Sequence, residues 1–326
     1  MEQVEQQDLS VKKGEVTFRQ KLASQQFHDG QMVFPELDNH DRMIDLMNQR
    51  AGVTRQAMAK LRAEGISISP FIELGTERCH RSIVLVNEFE AHGIAIDISL
   101  DMLRLGAEVA KGLGYSKLPL RICCDAYNLP IRDSALSFAF CYATLHHFPD
   151  PGPILKELSR VLEDQAVFYF DEEPVRGSIY SYTRLYQRHG HHLSPLENFL
   201  NRVGILPLIS KAGGVEIEHG VLEEEFDLST WQRALAPYQN PDVIVNKKLN
   251  FRLKNFQNGL PKVLAEAIGG NIEVLCRVEK DQAPAHSFSS LAELIRCPAC
   301  ASSATVPLHY DESRHGYHCE IGRAHV

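Results

Sequence analysis

From residue 66 onward, short apolar runs alternate with amphipathic segments, and this alternation constrains the fold more than any other feature of the chain. Ser69-Pro-Phe-Ile-Glu-Leu-Gly75 reads as a buried strand that stops at a glycine, and Ser82 to Phe89 is apolar at helical length. Gly93-Ile-Ala-Ile-Asp97 is a second strand, after which Ser99 can cap a helix through Met102, Leu103 and Leu105. Leu118 to Cys124 and Leu136 to Cys141 are the third and fourth strands. Asp150 can cap a helix with Ile154, Leu155, Leu158, Val161 and Leu162 on one face, and Ala166 to Phe170 is the fifth strand. Strands buried on both faces read as continuous apolar runs, and strands alternating with helices build parallel βαβ units with right-handed crossovers. The expected fold class is α/β, a doubly wound, Rossmann-like, mostly parallel sheet with helices on both faces.

Around that core the chain divides further. Residues 1–65 read as an N-terminal helical cap, with Met43, Ile44 and Met47 on one face. The α/β domain is expected over 66–280. Within it, 176–212 is rich in Tyr, Arg and His and has the pattern of a helical lid or insertion. Gly214 to Phe226 reads as strand. A helix around Leu260 to Ile268 precedes a last strand, Asn271 to Val278. Residues 281–290 form a Pro- and Ser-containing linker to a small C-terminal segment, 291–326.

A formal net charge of −8 makes the chain a poor general polyanion binder, so nucleic acid is not the expected partner. No run approaches the roughly 18 apolar residues of a membrane helix. The polar start, Met1 to Glu5, lacks the basic and apolar parts of a secretory signal, so a cytoplasmic location is expected. In that reducing setting Cys79, Cys123, Cys124, Cys141 and Cys276 read as small buried hydrophobes.

In a doubly wound sheet the ligand lies at the carboxyl ends of the strands. Strand one ends in Glu73-Leu-Gly75, strand two in Asp97 and Ile98, and strand three in Cys124-Asp125-Ala126. The dinucleotide fingerprint needs three glycines, but its positions here are Gly75, Glu77 and His80. One glycine makes no pyrophosphate cradle, so the cofactor expected is a nucleoside without phosphates. An acidic residue about twenty positions beyond the first glycine can accept both ribose hydroxyls, and Asp97 lies there.

Phe71-Ile-Glu-Leu-Gly75, Ala95-Ile-Asp97, Cys124-Asp-Ala-Tyr-Asn-Leu-Pro130 and Leu145-His-His-Phe-Pro-Asp-Pro151, in this order, resemble the class I S-adenosylmethionine-dependent methyltransferases over roughly residues 40–280. The resemblance is greatest to the branch containing the ubiquinone and menaquinone C-methyltransferases and many small-molecule enzymes. It implies S-adenosyl-L-methionine as cofactor. Glu73 and Gly75 would border the methionine moiety, Asp97 and Ile98 the ribose, and Asp125 and Ala126 the adenine. The second and third glycines of the family's first loop are Glu77 and Cys79 here, so Glu77 is expected to turn outward or to pair with Arg78 or Arg81.

His146 and His147 lie just past strand four and are candidates for a general base, with Glu172 or Glu173 as alternatives. Tyr180 to His192 interleaves basic and aromatic residues, a pattern for a lid over an anionic or glycosidic acceptor.

Cys297 and Cys300 have the spacing of one zinc knuckle, and Cys319 follows at a zinc-ribbon distance. The fourth ligand position falls at Gly322, and residues 321–326 look like the translation of a library adapter. Residues 291–326 are therefore expected to be a truncated zinc ribbon, with structural zinc in the intact protein. The expected activity is methyl transfer to oxygen or carbon of a small-molecule or glycoconjugate acceptor. The alternatives are an RNA or protein methyltransferase using the ribbon for substrate contact, and a non-catalytic relic of the fold.

Overall fold

A computed structural model describes residues 2–24, 39–179, 186–188, 194–203, 205–212, 215–218, 220–280, 290–297, 308–311 and 316–319. Two long helices, α1 (Glu2–Ala23) and α2 (His40–Ala63), come first. The α/β unit then runs β1 (Phe71–Leu74), α3 (His80–Glu88), β2 (Gly93–Asp97), α4 (Leu100–Gly112), β3 (Leu120–Cys123), β4 (Leu136–Tyr142), α5 (Pro151–Val161) and β5 (Leu162–Val175). Short pieces β6 (Tyr186–Arg188) and β7 (Ser210–Ala212) pair with each other, and α6 (Pro195–Arg202) lies between them. The main sheet resumes with α7 (Leu228–Ala234), β8 (Tyr238–Val245), β9 (Phe251–Lys254), α8 (Leu260–Ile268) and β10 (Gly270–Val278). A hairpin of β11 (Leu308–Asp311) and β12 (Gly316–Cys319) closes the described chain.

The eight-stranded sheet has the order β3-β2-β1-β4-β5-β10-β8-β9. Strands β1 to β5 pair in parallel, while β10 is inserted antiparallel between β5 and β8. Both faces are covered, so successive residues of one strand enter different cores. Phe138, Phe140 and Tyr142 of β4 pack with Met58 and Leu61 of α2 and Leu85 of α3. Ala139 and Cys141 face the opposite cluster, with Leu155 and Leu158 of α5 and Trp231 of α7. Ser99 caps α4 by accepting from the Met102 amide, and Asp150 caps α5 by accepting from the Gly152 amide.

The structure departs from the sequence reading in several places. Among the described residues of 214–226 there is no strand. Val215–Glu218 is a helical turn, and the chain then crosses the carboxyl edge of the sheet, its Glu224 amide donating to the His146 carbonyl. Strands β8 and β9 carry polar residues and Pro241, and sheet pairing, of β8 with β10 and of β9 with β8, supports them as strands. Asp171 to Pro174 continue β5, which the sequence reading ends at Phe170. Cys123 is exposed, and Cys124 half-buried, because each sits at the open end of β3. Residues 281–289, most of the expected linker, lie outside the described residues.

The segment after that linker is not separate from the core. Leu294 and Ile295 are buried in the main cluster, Ile295 bridges to Ile131, and the Arg132 and Arg296 amides bond the Leu294 and Pro130 carbonyls. Ile295→Ala should therefore cost about 2–4 kcal/mol in equilibrium denaturation, the scale of a buried large-to-small change. A loss under about 0.5 kcal/mol, the scale of a surface change, would show that this segment does not pack there.

Candidate active site

The site is assembled from the carboxyl ends of β1 to β5. Gly75 follows β1 at φ +60°, where a Cβ would stand 2.3 Å from Thr144 Cγ2. Only glycine lets the two loops approach so closely. Glu73 lies one layer beneath. Its buried carboxylate accepts from Thr76 Oγ1 at 2.8 Å and from the Ser82 amide at 3.1 Å, so it ties the loop to α3 and does not line the cavity. Burial raises its pKa, against the opposing pull of Arg81 and Ser82.

Glu77 and Cys79, at the positions of the absent glycines, still adopt left-handed φ values of 52° and 59°. Such a conformation costs a side-chain-bearing residue roughly 1–2 kcal/mol. Contacts of the side chains offset this. The Glu77 carboxylate meets Arg78 Nη1 at 2.7 Å and Arg50 Nη1 at 3.3 Å. Burial would raise its pKa, but Arg78, Arg50 and Arg19 together lower it to about 2. Cys79 is fully buried with Met43, Met47 and Leu103. Of the two partners expected for Glu77, Arg78 is the one engaged, and Arg81 instead lies 4.5 Å from the centre of the Tyr142 ring.

Asp97 sits at the end of β2. Its two oxygens accept from the Glu77 amide at 2.9 Å and the Ser99 amide at 2.8 Å. A carboxylate oxygen can accept twice, so both oxygens retain capacity on the cavity side. Burial lifts the Asp97 pKa to about 6 in spite of the two amides. Ile98, Cys124, Asp125, Ala126 and Tyr127 continue the wall. Asp125 Oδ1 accepts from the Tyr127 amide at 3.0 Å, and Oδ2 pairs with Lys12 of α1 at 2.8 Å.

Beyond β4 the chain turns through Ala143, at φ +48°, into a single 3₁₀ turn, Leu145–His147. Glu173 holds this turn from inside. A β-bulge opposite β10 shifts the register between Glu173 and Phe170, with Glu172 at φ +64°. Bulges re-aim side chains, and here Glu172 lines the cavity while Glu173 is fully buried. The Glu173 carboxylate accepts from the Thr144, Leu145 and His146 amides at 2.7, 2.8 and 3.1 Å, and from His146 Nδ1 at 2.9 Å. With Nδ1 as donor, the lone pair of His146 is at Nε2. Burial alone would lower the His146 pKa, but Glu173 outweighs it and the pKa is raised. His147 donates through Nδ1 to the Leu222 carbonyl at 2.8 Å, and burial with the neighbouring His146 lowers its pKa to about 4. Both rings line the cavity, so neither histidine is merely packed.

The cavity holds about 560 Å³. Its roof is α1, from which Val11, Lys12, Glu15, Arg19 and Leu22 line one face. Phe18 and Leu22 anchor that helix against Met102 and Val221. Gly14 lies so close to the Gly220 carbonyl that a Cβ would stand 2.1 Å from its oxygen. The sequence reading assigned the lid to 176–212 instead. Among the described residues none of that segment lines the cavity, and residues 180–185 and 189–193 lie outside them. Of the expected zinc ligands, Cys297 is buried, Cys300 lies outside the described residues, and the side chain of Cys319, on β12, does too. Among the described residues no three His, Cys, Asp or Glu are grouped to hold a metal.

Residues 73–170 match the family model described as a methyltransferase domain. No curated protein matches. Among solved structures, the geranyl diphosphate C-methyltransferase of Streptomyces coelicolor A3(2) is similar at 11% identity, covering 77% of this chain and 86% of its own, with a TM-score of 0.45. An S-adenosylmethionine-dependent methyltransferase of Methanosarcina mazei is similar at 15% identity, covering 67% and 97%, with a TM-score of 0.43. The fold is α/β and Rossmann-like, a mostly parallel sheet with helices on both faces.

The His146–Glu173 pair makes a measurable claim. Glu173→Gln should lower the His146 pKa, because it removes the carboxylate charge and leaves burial to dominate. Imidazole resonances followed through a pH titration report it. An unchanged His146 titration would show that Glu173 does not set its charge.

Proposed function

We propose that this protein is an S-adenosylmethionine-dependent methyltransferase that methylates oxygen or carbon of a small-molecule or glycoconjugate acceptor. The observation carrying the proposal is Asp97, at the end of β2, beside the Gly75 loop within the segment matching a methyltransferase domain. The residues fit the cofactor. Asp97 has acceptor capacity for ribose hydroxyls, one glycine permits close backbone approach without a pyrophosphate cradle, and the cavity is of ligand size.

In this reading Asp97 and Ile98 hold the ribose, Asp125 and Ala126 the adenine, and Gly75 the methionine backbone, with Glu73 shaping the loop from below. The bound cofactor supplies an electrophilic methyl group on a sulfonium. The protein positions the acceptor and shields it from water. His146 Nε2 takes the acceptor's proton, and Glu173 keeps the ring in the tautomer that can accept it. His147, held neutral, shapes the same wall. The structural role of Glu173 removes it from the candidate bases.

Asp97→Ala should weaken S-adenosylhomocysteine binding by about 1.5–3 kcal/mol, read by calorimetry. Unchanged affinity in the folded variant would remove the cofactor assignment. His146→Ala should slow turnover about 10²–10⁴-fold with cofactor affinity nearly intact. The base must be neutral, and its pKa is raised above the ordinary 6.5. The wild-type rate should therefore already fall as pH drops through a value above 6.5, and Glu173→Gln should move that limb to lower pH. A rate that is flat through the neutral range would rule out His146 as the base.

A further inference from the structure

Four strand ends stand in a row along the cavity. The sheet order β3-β2-β1-β4 places Asp125, Asp97, Gly75 and Tyr142 at successive ends, with about 4.8 Å between neighbouring strands. In the methyltransferase reading adenine, ribose and methionine follow the first three. The far end of the methionyl arm, with its carboxylate, then falls toward the end of β4. Arg81, in the first turn of α3, lines the cavity there, with its guanidinium over the Tyr142 ring, 4.5 Å from the centre. Stacking occupies the face of a guanidinium and leaves its in-plane N–H donors free. Three other cations line the cavity, and each has a carboxylate: Lys12 with Asp125, Arg19 with Glu15, and Arg50 with Glu77. Among the described residues no hydrogen bond or ion pair takes up Arg81, and its Nε is shut off from solvent without a partner. Arg81 does pull on the buried Glu73 carboxylate. Glu73, however, takes its hydrogen bonds from Thr76 and Ser82, so the fork of the guanidinium stays unused. A cation in the first turn of a helix also faces the positive end of the helix dipole. An anion in the cavity offsets both costs.

Building on the methyltransferase reading, we infer that Arg81 is the receptor for the cofactor's own carboxylate, with the Tyr142 ring holding the guanidinium in place. A carboxylate accepts two parallel N–H bonds from such a fork. Glu77, standing where the family has a glycine, does not oppose it, because Arg78 and Arg50 neutralise that side chain. Glu172, the lining carboxylate on neighbouring β5, is engaged with Asn271 and Lys247.

The test is calorimetry on the full chain with three ligands. These are S-adenosylhomocysteine, its decarboxylated amine analogue, and methylthioadenosine, which lacks the whole amino-acid end. The wild type should bind S-adenosylhomocysteine at least about tenfold more tightly than the decarboxylated analogue, the scale of one charge-assisted bond. Arg81→Gln should abolish that preference by weakening S-adenosylhomocysteine alone. Arg81→Lys, which keeps the charge opposite Glu73 but loses the fork, should keep only part of it. Arg104→Gln, on the exposed face of α4, should leave it intact. If Arg81→Gln does not fold, Arg81→Lys carries the comparison, and an undiminished preference there overturns the inference. So does a preference that survives Arg81→Gln, or an equal loss of both ligands, which would mark Arg81 as a support of the loop only. Binding of methylthioadenosine without any carboxylate preference sinks the inference and leaves the cofactor reading standing. No binding of any of the three ligands sinks both.

Discussion

The Glu173 carboxylate is the point on which the site depends. It is fully buried, and it satisfies three consecutive backbone amides of the turn after β4 as well as His146 Nδ1. A charge at that depth is tolerable only because it is surrounded by donors. Without it, three amides and an imidazole would lose their partner, at about 1–3 kcal/mol for each buried group left unmade. The same bonds fix the path of Thr144, whose side chain abuts Gly75, so the geometry of the loop after β1 is coupled to that of the turn carrying His146.

The first loop shows how one conformation can be reached with different residues. Glycine adopts left-handed φ at little steric cost, and here Glu77 and Cys79 hold it with side chains attached. Their partners explain why this is tolerable. Arg78 and Arg50 neutralise Glu77, and the hydrophobic cluster of α2, α3 and α4 encloses Cys79. The Glu77 carboxylate is therefore an internal counter-ion, while its backbone amide anchors Asp97. The residue standing where the family's glycine would be thus supports Asp97 through its backbone.

Helix α1 completes the cavity from a great distance in sequence. Its inner face meets Asp125, Glu216 and the loop at Gly220, and among the described residues Phe18 and Leu22 anchor it in a buried cluster. Polar contacts at the cavity, Lys12 with Asp125 and Arg19 with Glu216, add to that anchoring. To the cavity wall the sheet contributes the backbone turns, and α1 contributes Glu15 and Arg19.

The parallel core was legible in the chain because double-sided burial writes itself as continuous apolar runs, with Ser99 and Asp150 marking where helices start. Gly75, Asp97, Asp125 and the two histidines were legible because a doubly wound sheet gathers its strand ends at one edge, so position along each strand predicts position in space. Polar residues and Pro241 interrupt the local pattern of β8 and β9, and their place in the sheet comes from pairing, of β8 with β10 and of β9 with β8. Nor does local pattern separate Glu172 from Glu173. One bulge sends one carboxylate to the cavity and the other beneath His146, and that bulge exists only in the register with β10. The roof formed by α1, the pairing of Glu77 with Arg50 and the docking of Ile295 are likewise long-range contacts. Periodicity reports what a residue's own strand or helix buries. Which partner arrives from elsewhere in the chain is decided by tertiary packing alone.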